Sequence, residues 1–145
     1  MRLWHKDLIP YLPRQQLLGQ WRECCCIIRN IAMLGTPNHI LVNKVMDYPM
    51  GHFWYYGLCV MEEMKNREYK CDLNKFKRWF DNPYTFSTPT NDGLFEDWHN
   101  DRYLVQCLCN LQEKYDCGGI DKDEWLVIAN KFNEEMRFCL WAENI

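Results

Sequence analysis

Residues 15–26 read QQLLGQWRECCC and set an arginine–glutamate pair, a glycine and three consecutive cysteines in one segment. Two chemistries are open to such a segment. A carboxylate such as Glu23 can take and return protons, and an arginine such as Arg22 can hold an anion with its planar fork of donors. The thiols of Cys24, Cys25 and Cys26 raise metal binding or redox exchange instead. At 100° per residue the polar positions form two rows, Gln15, Arg22 and Arg29 in one and Gln16, Gln20 and Glu23 beside it. Gly19 lies between the rows. Glycine costs about 1 kcal/mol in a helix interior relative to alanine, so its presence suggests that a ligand backbone comes close there. Periodicity alone favours a blander reading, a solvated helix face with an Arg–Glu pair of small energetic value.

The cysteines number nine: 24, 25, 26, 59, 71, 107, 109, 117 and 139. The count is odd, which prevents complete internal pairing. Neither the 24–26 run nor Cys107-x-Cys109 has the paired C-x-x-C spacing of a zinc ribbon. Convergence of Cys107, Cys109, Cys117 and His99 on a metal is the alternative to free, buried thiols. The thiol reading is the expectation, with no metal and no cofactor.

These side chains need elements to position them. A chain of 145 residues with 48% apolar and 15% aromatic residues can bury one core, so a single domain over residues 1–145 is expected. No apolar run approaches the roughly 18 residues a membrane span needs. The opening MRLWHKDLIPYLP lacks the pattern of a signal peptide, and a cytoplasmic location is expected. The net charge of −3 argues against strong non-specific nucleic-acid binding. It hides an asymmetry: residues 1–80 hold 12 basic against 7 acidic side chains, and residues 81–145 hold 5 against 13. A basic face built from the first half is therefore possible.

The patterning is helical throughout. A helix begins after Pro13, carries Leu17, Trp21, Cys24/Cys25 and Ile28 on one stripe, and stops at Gly35-Thr36-Pro37. Further helices are expected over 38–47, 50–67, 73–80 and 95–115, with a Pro-rich loop over 81–94. The last helix begins at Asp121, with Asp121 and Glu124 as a reciprocal cap. No segment alternates as a strand does. The predicted fold is all-α, a compact single-domain bundle of about five or six helices with irregular loops.

The opening MRLWHKDLIP–YLPRQQLLGQWRECC resembles the pyrimidine-dimer DNA glycosylase family. The likeness lies in Arg2-Leu3, in Gln15 before Leu17-Leu18, and in Trp21-Arg22-Glu23. Weaker similarity runs through Gly35-x-x-x-His39 and Glu63–Tyr69. The motifs MRLWH, LPRQQLLGQ, TPNH and HNDRYL are similar to those of a bacterial branch. The resemblance implies a helical enzyme with combined glycosylase and AP-lyase activity. Its N-terminal α-amine attacks C1′ of a damaged nucleotide, and a first-helix glutamate assists ring opening and strand-cutting elimination. An α-amine suits this task, because its reference pKa of about 7.7–8.0 leaves a useful neutral fraction near pH 7.

Carried over by position, the resemblance makes the Met1 amine the nucleophile and Glu23 the acid/base. Arg2 and Arg22 would contact phosphates, Gln15 would face DNA, and Gln16 stands where the phage type has a histidine. The partner would be duplex DNA with a damaged or modified base, and the protein a monomer. His5 is either a site residue beside the amine or a surface residue. His39 is either a phosphate neighbour or part of a helix start capped by Asn38, and Lys44 either a phosphate contact or a solvated lysine. His52 reads as core or ligand, and His99–Arg102 as site or helix surface. The competing function is a non-catalytic helical nucleic-acid-binding or adaptor protein on the same scaffold.

Overall fold

Pro13 opens the longest helix without needing the N–H it lacks, and the computed structural model describes residues 1–137 of the chain. Helix α1 runs Arg14–Leu34 and buries Leu17, Gln20, Trp21, Cys24, Ile27 and Ile28. Gly35, at φ 74°, closes it by donating its N–H to the Ile31 carbonyl at 2.9 Å. Helix α2, Met50–Asn66, follows Pro49 and packs along α1 with Phe53, Trp54, Tyr56, Val60 and Met64 buried. Helix α3, Asn74–Lys77, is one turn long and exists to deliver Phe76. The Phe76 ring lies parallel to Trp54, centroids 5.6 Å apart, and also contacts Trp21 and Phe53. Gly57 makes this possible, since a Cβ there would sit 2.3 Å from the Phe76 ring.

The second half adds α4, Asp101–Asp116, and α5, Lys122–Lys131, joined through the left-handed Gly118 and pinned by Tyr115 stacked on Trp125 at 5.2 Å. Asn100 caps α4, its Oδ1 accepting from the Tyr103 N–H at 2.9 Å. Short 3-10 helices cover Lys6–Tyr11, Asn43–Asp47 and Pro83–Thr85. Among the described residues there are no strands, and the all-α expectation is met. No described helix is long and apolar enough to cross a membrane.

Three local expectations change. The helix predicted over 38–47 is cut to Asn43–Asp47, because Asn38 takes φ 60° and the Asn43 side chain holds the His39 N–H in a turn. Helix α4 starts at Asp101 rather than 95, because Phe95 at φ 48° curls the chain and His99 donates its N–H back to the Phe95 carbonyl at 2.7 Å. The Asp121–Glu124 cap does not form. Asp121 makes no side-chain cap bond, and Glu124 instead accepts the Arg14 N–H at 2.6 Å. Pro13 offers α1 no capping oxygen, so a carboxylate from α5 satisfies the free donor of its first turn.

Candidate active site at the chain terminus

Residues 1–5 form a segment without regular secondary structure that leads into the first 3-10 helix, and polar groups from three helices hold it there. Gln20 of α1 is fully buried and uses its whole amide. Its Oε1 accepts the Trp4 N–H at 2.7 Å and lies 3.0 Å from the Tyr56 hydroxyl. Its Nε2 donates to the Arg2 carbonyl at 3.0 Å and reaches Glu23 Oε2 at 3.5 Å. Tyr56 of α2 lies 2.6 Å from the Trp4 carbonyl, to which it donates. Tyr103 of α4 donates to the Leu3 carbonyl at 2.6 Å.

This bracing brings the terminus to Glu23. The Arg2 backbone N–H donates to Glu23 Oε2 at 3.3 Å. Successive backbone nitrogens are at most about 3.6 Å apart, so the Met1 amine lies within about 7 Å of that carboxylate oxygen. Met1 is 40% exposed, Glu23 half-buried and Arg22 exposed one residue away. A Cβ on Gly19 would meet only the Arg22 guanidinium, at 3.8 Å. Packing within the chain therefore does not call for glycine at that position.

The other predicted residues divide. Arg2 is half-buried, its guanidinium 3.9 Å from Cys107 Sγ and 5.4 Å from the Trp4 ring centre. Gln15 is exposed beside Arg22 on α1, and Gln16 is half-buried with an Oε1 that has no protein partner. His5 is no surface residue. It is buried, stacked on His99 at 5.2 Å, and its Nδ1 accepts the Asp7 N–H. His99 is buried beneath the N-terminal segment rather than on a helix surface, with Nδ1 accepting the Lys6 N–H at 2.9 Å. Burial pushes the His99 pKa down to about 2 and lowers that of His5, so both rings are neutral. His52 packs on Tyr48 and Phe95 and accepts the Phe95 N–H, a structural role.

His39 is occupied by its own loop, its N–H on Asn43 and its Nδ1 accepting from Leu41. Lys44 is exposed and lines a shallow groove of about 290 Å³ with Trp98, Arg102 and Tyr103. A larger cavity, about 690 Å³, opens elsewhere, between the Lys6–Tyr11 turn, α2 and the end of α5. Neither Met1 nor Glu23 lines either hollow.

The thiols follow the helix patterns. Cys24 and Cys107 are fully buried, and burial raises both pKa values, which keeps them protonated and unreactive. Cys25, Cys26, Cys59 and Cys71 are half-buried, while Cys109 and Cys117 are exposed. Burial of Cys107 separates it from Cys109 and Cys117. Among the described residues no three His, Cys, Asp or Glu side chains gather as a metal site. Cys139 lies outside the described residues.

A family model described as pyrimidine dimer DNA glycosylase matches residues 1–77. The chain belongs to this family. No curated protein and no solved structure matches it. The glycosylase family match ends at Lys77, the last residue of α3. It therefore contains the terminus, all of α1 with Gln20, Arg22 and Glu23, and Tyr56 on α2. DNA is the substrate class that membership implies. Tyr103, His99 and Cys107, which brace the chain terminus from its other side, come from outside the matched segment.

Sequence reasoning placed Gln20 in the Glu23 row without giving it a role, and passed over Tyr56 and Tyr103. For Gln20 a signal existed: an amide three residues before Glu23, at the edge of the stripe formed by Leu17, Trp21 and Cys24. For the two tyrosines there was none, because their partners are backbone carbonyls some 52 and 100 residues away in sequence.

Proposed function

We propose that the protein is a DNA glycosylase/AP lyase that acts on a damaged or modified base in duplex DNA, as a monomer, through a Schiff base on the Met1 α-amine. The observation that carries this reading is the hydrogen bond from the Arg2 N–H to Glu23 Oε2, which sets the carboxylate one residue from the chain terminus. The neutral amine adds to C1′, and the bond from C1′ to the base breaks with its electron pair leaving on the base. Loss of an amine proton and opening of the ring at O4′, which takes up a proton, give the protonated imine. Glu23 supplies and removes these protons. As a carboxylate it then takes a proton from C2′, and the electrons move to expel the 3′-phosphate and cut the strand. The chemistry is covalent activation by an amine and needs no metal.

Arg22, exposed beside Glu23, and Arg2 are proposed to hold flanking phosphates, with Gln15 and Gln16 on the DNA-facing side. Lys44 and His39 belong to a second, more distant contact with the duplex. Removal of the Glu23 charge tests the assignment. Glu23→Gln is expected to lower cleavage of an abasic-site duplex by about 100-fold or more while duplex affinity stays near that of wild type. Binding without cleavage in the wild type as well would favour the non-catalytic adaptor reading.

A further inference from the structure

Gln20 stands out among the polar side chains because it is fully buried in an apolar helix face and yet leaves none of its amide idle. It accepts the N–H of Trp4 and donates to the C=O of Arg2, bracketing Leu3 in the way a neighbouring parallel strand would. With Leu3 extended between them, the Arg2 C=O and the Trp4 N–H project from the same edge of the backbone, so one rigid amide can meet both only in a single register. A slip of one residue would turn Leu3, fully buried, toward solvent. A slip of two would carry the terminus along the segment by about 6.6 Å, far from its place beside the carboxylate. The same Nε2 also reaches Glu23 Oε2, at 3.5 Å. One side chain thus touches the segment on both sides of Leu3 and the carboxylate that is to act on what the segment carries.

We propose that Gln20 is the positioning residue of the amine reaction. Its amide registers the terminal segment on α1 and thereby holds the Met1 amine beside Glu23. It does not touch substrate. Tyr56 and Tyr103 anchor the same segment at single carbonyls and do not contact Glu23 in this way. The proposal rests on the amine mechanism above for its consequence, but the registering contact itself can be tested apart from activity.

The test compares wild type with Gln20→Met, which keeps side-chain length and removes all four polar contacts. Two quantities are read: amide hydrogen exchange at Trp4, and the rate of borohydride trapping on a saturating abasic-site duplex. Trp4 exchange in Gln20→Met is expected to rise by about 10-fold or more with α1 still protected. Trapping is expected to slow by about 100-fold, as small misplacements of reacting groups do, while the Kd for the duplex stays within about threefold. A merely structural role would move folding and affinity together and would not separate rate from binding. Unchanged Trp4 exchange, or trapping within about threefold of wild type, overturns the proposal.

If Gln20→Met does not fold, a second variant, Gln20→Asn, decides. Its shorter amide adds no charge beside Glu23 but is one methylene too short to reach Trp4 and Arg2 together. Trapping slowed by more than about threefold supports the proposal while a smaller change overturns it. Failure of the wild type to trap at all would remove the amine mechanism and, with it, any effect of Gln20 on rate. The exchange measurement would then still support or refute the registering contact.

Discussion

Among individual residues, the buried histidine pair sets the chain's response to acid. Burial, with the neighbouring His5 and Lys6, holds His99 neutral, and its folded pKa is about 2 against a reference of 6.5. Its depressed value means the unfolded chain takes up the proton first. The stability it contributes is complete above about pH 6.5 and is lost progressively as pH falls toward the folded value. Each such group contributes a slope of up to about 1.4 kcal/mol per pH unit in that window. His5 acts in the same direction. Urea midpoints should therefore drop between pH 7 and pH 5, and His99→Phe should be less stable at pH 7 but show a shallower fall. An equal slope in the variant would contradict the assignment.

At the scale of elements, the join between α2 and α3 depends on one missing side chain. Phe76 fills the space over Gly57 and is itself hemmed in by Trp54, Trp21, Phe53 and Phe80, so the ring has nowhere to retreat. Gly57→Ala should destabilise the fold by about 1–3 kcal/mol, although alanine is the better helix former. Equilibrium denaturation reads this directly, and a gain in stability would show that α3 packs elsewhere. The helix stripes that make this join were legible in the sequence, since Leu17, Trp21, Cys24 and Ile28 on α1 and Phe53, Gly57, Val60 and Met64 on α2 recur at helical spacing. The exceptions turn on particular partners. Phe95 enters the left-handed region as its ring is buried in the core, Asn38 does so in a turn held by side-chain bonds, and Glu124 serves the first turn of a different helix rather than its own. Local spacing carries no information about such partners.

For the whole molecule, the proposed function gives the charge asymmetry a role, with the more basic first half of the chain turned toward DNA. The rows on α1 that include Arg22 and Glu23 were visible from periodicity, and the family resemblance singled out the terminus. The bracing of the N-terminal segment was not legible, because it joins residues 2–4 to helices distributed along the chain. If Arg22 holds one phosphate, Arg22→Ala should weaken abasic-duplex binding and reduce the slope of log K against log salt by about 0.9. Titrations at several salt concentrations measure this, and an unchanged slope would place Arg22 off the duplex.

The proposed mechanism stands or falls on the identity of the nucleophile. Borohydride reduction with an abasic-site duplex, followed by proteolysis and mass spectrometry of the cross-linked peptide, identifies the residue that carries the sugar. The mechanism predicts the adduct on the α-amine of Met1, and its disappearance when that amine is blocked by an N-terminal extension. An adduct on a lysine side chain, or trapping that persists with the amine blocked, would contradict it.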